Sequence, residues 1–296
     1  MQKLYSPFLV LLFTAAGLAS LGERLSNGSQ MAAPSKDVAR SYLGFDRNTY
    51  PGDAALGALR TAFSFCGYWL SSPPGESSNT WQGKRDALRS RGFGFLVLFN
   101  GRLDKELTPV VNPMTVGKSD AAIAIEAARK EGFPAGTIIF LDQEEGGRML
   151  PEQRAYVYAW IDGINAGGYR AGVYCSGIPA KEGRGATVIT ANDLRENAEG
   201  RKIIFFIYND SCPPSPGCTT TRKLPLPGQS GIAFASVWQF AQSPRRPEFT
   251  STCRSSYAAD GNCYAPLFDA ADGIDLDLDT ATSPDPSSDL LTAAPE

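Results

Sequence analysis

Asp142 and Glu144 stand two residues apart at the end of an apolar run, Ile138-Ile139-Phe140-Leu141. If that run is a strand, alternation puts both carboxyls on one face, together with Ile138 and Phe140. Two carboxyls on one face, roughly 6–7 Å apart along the backbone, are costly to bury unless they are paired, hydrated or used. Mutual repulsion raises the proton affinity of one of them, so one acid holds a proton while the other is ionised. That split suits general acid–base chemistry. The chain has no histidine. Ser-His-Asp and Cys-His nucleophiles and His-ligated metals are excluded, and proton transfer falls to Asp, Glu, Lys, Tyr or Cys.

The elements around this pair alternate. Apolar β-type runs lie at 42–46, 63–70, 93–100, 137–144, 170–176, 202–208, 236–241 and 273–279. Helical patterns fall between several of them, at 53–61, 84–91, 119–131, 151–165 and 190–198. The third is expected to start at Ser119 as N-cap and to stop at Gly132; the fourth opens on Pro151 and ends at Gly167-Gly168. Strands alternating with helices imply parallel strands joined by crossovers. Eight such units predict a single-domain α/β fold, a (β/α)8 TIM barrel, over residues 41–280. A doubly wound sheet is the alternative, but no Gly-rich phosphate-binding turn follows the first strand. The connections before the last two strands, 209–235 and 242–272, are long, Pro-rich and Cys-bearing.

In a barrel of this kind the site lies where the strands end. The first strand ends on Asp46, the fourth on Asp142 and Glu144, and the eighth carries Asp275, Asp277 and Asp279. Asp275 is expected in the mouth and Asp279 in solvent. One Asp after a strand is ordinary, because Asp caps the next helix. Three acid-ended strands, two of them neighbours in a closed barrel, are harder to explain that way. Tyr68, Trp69, Tyr174, Tyr208, Trp238 and Gln239 are expected around the same mouth, where aromatic faces stack on sugar rings. Asn100 and Arg102 are candidates for acetamido or carboxylate groups; a salt bridge from Arg102 to an acid is the competing reading. A carboxyl pair with opposed protonation is what glycoside hydrolysis requires.

The formal net charge is −3 with no basic run, which argues against nucleic acid. Lys3, the apolar run Pro7–Leu21 and the small residues Gly17 and Ala19 predict a signal peptide over 1–19, with a linker over 20–40. The expected location is therefore secreted, with no membrane association once the signal is removed. Cys212 with Cys218, and Cys253 with Cys263, are expected as local disulfides, while Cys66 and Cys175 fall inside strand patterns as buried thiols. No cofactor or metal is expected, since no C-x-x-C spacing occurs. The chain is expected to be a monomer, with a disordered tail over 281–296.

Five motifs carry a resemblance: Gly-Phe-Asp-Arg-Asn at 44–48, Phe-Leu-Asp-Gln-Glu at 140–144, Gly-Val-Tyr-Cys-Ser at 172–176, Val-Trp-Gln-Phe at 237–240 and Ile-Asp-Leu-Asp at 274–277. In order and spacing they resemble the family-25 lysozymes, and more closely the glycoside-hydrolase-like barrel domain of secreted bacterial proteins. The resemblance implies that Glu144 matches the acid that protonates the glycosidic oxygen. It implies that Asp142 matches the partner that stabilises an oxazolinium-like intermediate or orients an N-acetyl group, and that Asp46 and Asp275 match acids of the same mouth. The implied substrate is a peptidoglycan-type, N-acetylated glycan. A non-catalytic glycan-binding barrel and a cell-surface barrel whose acids bind Ca²⁺ are the alternatives.

Overall fold

Each apolar run becomes a strand because both of its faces find cover, one in the barrel interior and one under a helix. The computed structural model describes residues 40–220, 224–268 and 273–288. In chain order the elements are β1 (Tyr42–Asp46), α1 (Leu56–Ala62), β2 (Phe65–Trp69), α2 (Arg85–Ser90), β3 (Gly94–Asn100), α3 (Asp104–Leu107), α4 (Pro113–Lys130), β4 (Ile138–Asp142), α5 (Pro151–Ala166) and β5 (Arg170–Ser176). There follow a hairpin of β6 (Ala180–Glu182) and β7 (Ala186–Val188), then α6 (Thr190–Glu196), β8 (Ile204–Tyr208), β9 (Ala235–Ala241), α7 (Pro247–Thr250) and β10 (Asp277–Ala281). Eight strands close into a barrel in the order β1-β10-β9-β8-β5-β4-β3-β2. The expected eight-stranded α/β barrel is therefore observed.

Its last strand departs from expectation. β10 runs antiparallel to both β1 and β9, whereas the other barrel pairings are parallel. It also starts at Asp277 rather than Gly273. Residues before it pair with the preceding loop instead: the Leu276 N–H donates to the Cys263 carbonyl at 2.9 Å, and the Ala265 N–H to that of Ile274 at 3.0 Å. The chain thus enters β10 at the mouth and leaves at the opposite end.

α4 begins six residues before the expected Ser119, at Pro113. Asn112 is its N-cap, with its side chain accepting the Thr115 N–H. Gly117 belongs to the helix. A Cβ there would run into the Tyr156 carbonyl of α5, so glycine allows the two helices to touch.

Residues 285–287, which fall in the expected tail, are bonded to the barrel. The Phe95 N–H donates to Asp285 Oδ1 at 2.7 Å, the Val97 N–H to Ser287 Oγ at 2.8 Å, and the Ile138 N–H to the Ser287 carbonyl at 2.7 Å. These bonds tie 285–287 across the N-terminal ends of β3 and β4, and Ser287 is fully buried. The expected signal and all but the last residue of the expected linker lie outside the described residues, as do 289–296.

The disulfides are Cys212–Cys253 and Cys218–Cys263, with Cα separations of 5.5 and 5.4 Å. The expected local pairing is corrected: each bridge joins the β8–β9 loop to the β9–β10 loop. Cys66 and Cys175 are buried free thiols, as expected. Closing loops of 41 and 45 residues is worth about 4 kcal/mol for a single bridge in the chain-entropy model. Reduction should therefore lower the melting temperature and open this loop pair to proteolysis before the parallel strands. Limited digestion with and without reductant, followed by mass mapping of the first cuts, measures both.

Candidate active site

Asp46 closes β1, Asp142 closes β4, and Asp277 opens β10 directly opposite Asp46. All three carboxyls reach the mouth because β10 runs backwards: its first residue, not its last, lies at that end. With Trp69, Glu144 and Tyr174 they line a cavity of about 240 Å³. A second cavity of about 540 Å³ shares Pro74, Asp142 and Glu144 with the first and extends past Asn100, Arg102 and Lys105. The two form a groove with Glu144 at the junction.

Asp275 is not in this cavity. It sits outside the strand, 4.0 Å from Arg47 Nη2. Asp279, expected in solvent, is fully buried. Both corrections follow from strand direction: residues later in an antiparallel strand lie deeper.

Neighbouring positions on a strand face opposite ways, and this decides the aromatics. Trp69 and Tyr174 face the mouth; Gln239 does too. Tyr68 faces the helices, packed on Phe133 and donating its hydroxyl to Glu131 Oε2 at 2.5 Å. Trp238 is fully buried on the outer face, its indole N–H donating to the Asn209 carbonyl at 2.9 Å. Tyr208 does not line the cavity; its hydroxyl donates to the Glu144 carbonyl at 3.1 Å. Asn100 borders the second cavity and donates to the Ser72 carbonyl. Arg102 is also there, but it pairs with Asp120 of α4, at 2.8 and 3.0 Å, rather than with an acid of the mouth.

Few donors serve these acids. The Gln239 Nε2 group donates to Asp46 Oδ2 at 2.8 Å and to Asp277 Oδ2 at 3.3 Å. The Gln239 carbonyl in turn accepts from the Tyr174 hydroxyl and from Gln242, both at 2.7 Å, which fixes the orientation of the amide. The Ser243 N–H donates to Asp277 Oδ1 at 2.6 Å. Asp142 Oδ1 is buried without a partner. Arg246 is the cation acting on Glu144, and it is itself paired with Asp210.

Burial accordingly pushes the carboxyls upward. Asp46 rises to about 6, with the Gln239 hydrogen bond opposing the rise. Asp142 lies well above its ordinary value through burial, with Glu144 and Asp46 adding repulsion. Asp277 lies well above through burial and Asp46. Glu144 is exposed to the cleft yet ringed by protein. Loss of solvent raises it, Arg246 draws it back, and Asp46 raises it further. These four acids therefore cannot all be ionised at neutral pH. Among the described residues no group of three or more acid or cysteine side chains is arranged to hold a metal ion.

The loop bearing Glu144 is pinned on both sides. Glu145 Oε2 accepts the Asp104 N–H at 2.7 Å and the Gln153 amide at 2.6 Å. Arg148 reaches Asp193 at 3.1 Å and also pairs with Glu182. Asp193, almost fully buried, also accepts the Met149 N–H and Arg154. Sequence reading missed Asp277, Gln242, Ser243 and Arg246, although parity alone, counted from a reversed last strand, points to Asp277.

Acids raised in the folded state stabilise it below their unfolded pKa and lose that contribution as pH rises through the folded pKa. For Asp46 the window runs from 3.8 to about 6, on the order of 3 kcal/mol. Asp46→Asn should therefore gain stability relative to the native chain as pH rises from about 4 to about 7. Denaturant melts at both pH values test this; a difference that stays flat or narrows contradicts it.

Comparison with known proteins agrees with this architecture. Residues 60–202 match the family model described as Rv2525c-like, glycoside hydrolase-like domain. Curated proteins yield no match. An uncharacterized B. stearothermophilus protein is similar at 19% identity and TM-score 0.51, over 81% of this chain and 95% of that one. The Mycobacterium tuberculosis Tat-secreted protein Rv2525c follows at 12% identity and TM-score 0.49, over 83% and 97%. The Clostridium perfringens spore cortex lytic enzyme SleM has 15% identity and TM-score 0.49, over 82% and 68%. At these identities the likeness is one of fold. The chain is thus similar, over residues 60–202, to the Rv2525c-like, glycoside hydrolase-like domain, and its closed barrel and acid-lined mouth accompany that match.

Proposed function

We propose that the protein is a secreted, retaining glycoside hydrolase that cleaves N-acetylated, peptidoglycan-type glycans. The observation that carries this reading is the contrast among the carboxyls. Glu144 is exposed where the two cavities meet, while Asp46 and Asp142 are buried beneath it. A glycan lying along the groove would bring a glycosidic oxygen to Glu144. A carboxyl raised by its surroundings keeps its proton into mildly acidic pH and can deliver it to the leaving oxygen.

Asp142 serves the other half of the reaction. Its unpartnered Oδ1 calls for a donor, and the N–H of a 2-acetamido group is one. Held there, the acetamido carbonyl lies ready to attack the anomeric carbon, and Asp142 stabilises the resulting oxazolinium-like cation. Asp46 and Asp277, fixed by Gln239, add negative potential as positive charge develops. Trp69 and Tyr174 offer ring faces to the sugar. Two inter-loop disulfides fit the oxidising compartment that such a substrate implies.

Glu144→Gln should leave the melting temperature within a few degrees while lowering turnover on peptidoglycan or chitin-type oligomers by roughly 10²–10⁴-fold. Native turnover should fall as pH rises through the Glu144 pKa, because the acid form is then lost. Mass spectrometry of the products reads both. Unchanged turnover in Glu144→Gln rules out this acid, and sugar affinity without any products supports the non-catalytic, glycan-binding alternative.

A further inference from the structure

Asp279 is fully buried, and among the described residues no N–H or O–H group is placed to donate to either of its carboxyl oxygens. It pairs in register with Gly44 of β1 and Gln239 of β9, one inward step below Asp277. Gly44 has no side chain to fill that level. The Phe65 ring occupies the space where its Cβ would go. The Gln239 amide group is already spent on Asp46 and Asp277. What Asp279 does meet is another carboxyl, that of Asp46, within hydrogen-bond reach. Its remaining charged neighbour is Asp277, on its own strand, and among the described residues no cation acts on it.

Two ionised carboxylates can only accept, so their contact becomes a hydrogen bond only when one carries a proton. The deeper group is the one that burial keeps neutral, since it has neither solvent nor donor. We propose that Asp279 stands as a neutral carboxylic acid beneath Asp46 and donates its proton in a hydrogen bond to the Asp46 carboxylate. Asp46 is then held from two sides, by Asp279 O–H from below and by Gln239 N–H from β9. Asp279 is a positioning residue: it reaches no substrate and acts through Asp46. Burial raises both carboxyls; the bond opposes the rise of Asp46 and adds to that of Asp279. Its effect on turnover rests on the hydrolase reading; its protonation does not.

Two measurements separate these levels. Infrared spectroscopy of the native chain at neutral pH should show the carbonyl stretch of a protonated carboxyl. Asp279→Asn should remove that component, because the amide does not titrate. If the spectrum is unchanged by the substitution, Asp279 is ionised and the proposal fails, whether or not the protein cleaves glycans. The second measurement is kinetic. Asp279→Asn keeps a donor for Asp46 and should retain turnover within a few-fold. Asp279→Leu, of similar bulk, removes the donor. It should lower kcat on the order of ten-fold with KM little changed, and should move the acidic limb of the pH profile upward as Asp46 loses its bond. Equal kinetics and pH profiles for Asn and Leu overturn the positioning role. Should Asp279→Leu fail to fold, the native and Asn spectra and the Asn pH profile decide the matter alone. Loss of the donor bond in Asn, seen as an Asp46 limb displaced from the native position, also counts against it.

Discussion

Negative charge confined in a water-poor barrel mouth is the constraint from which the rest of the site follows. Asp46, Asp142 and Asp279 are buried and Asp277 is half-buried, yet the donors aimed at them are the Gln239 amide and the Ser243 N–H. Isolated ionised carboxylates in such a place are too costly to persist. Protons must make up the difference. The same shortage of donors ties stability to pH in the direction derived above.

Holding an exposed acid still is the second demand. Glu144 lies past the end of β4, where a loop would ordinarily wander. Here nearly every residue after it is fastened: Glu145 to the start of α3 and to α5, Gly147 to Thr190, and Arg148 and Met149 to Asp193. Asp193 is nearly fully buried and pairs with two arginines, so removing it would break both pairings and leave Arg148 to Glu182. The β6–β7 hairpin adds Glu182 to the same cluster. Short elements outside the barrel, which periodicity does not reveal, are thus the ones that aim the acid.

How much of this was legible in the sequence differs by kind of information. Seven of the eight strands follow from apolar runs and their punctuation, and β1 and β5 coincide with the expected limits. Alternation placed Asp142 inward, and position at a strand end pointed to Asp46. Alternation could also have excluded Tyr68 and Trp238, since each adjoins a residue that faces the mouth. Strand direction carries no local signature. A parallel reading of 273–279 therefore selected Asp275, whereas reversal brings Asp277 to the mouth and buries Asp279. Disulfide pairing was illegible for a related reason. Cysteines close in sequence face different partners once the two loops lie side by side, and connectivity is a tertiary property.

That loop pair links the last strand's reversal to the chemistry. For β10 to descend from the mouth, the chain after β9 must stay at the mouth, and 242–268 does so. There the Cys263 N–H donates to Ser243 Oγ at 2.9 Å, the same hydroxyl donates to the Leu276 carbonyl at 2.7 Å, and the Ser243 N–H donates to Asp277. Cys263 is also one end of a disulfide to Cys218. A covalent bridge thus stands two hydrogen bonds from a buried-edge acid. One of the two donor groups serving the acid cluster is placed by a loop with little regular structure of its own. Such a loop cannot hold an N–H to within hydrogen-bond tolerance through apolar packing alone. The bridge supplies the restraint that a helix supplies elsewhere in the barrel, and an oxidising environment becomes part of what completes the site.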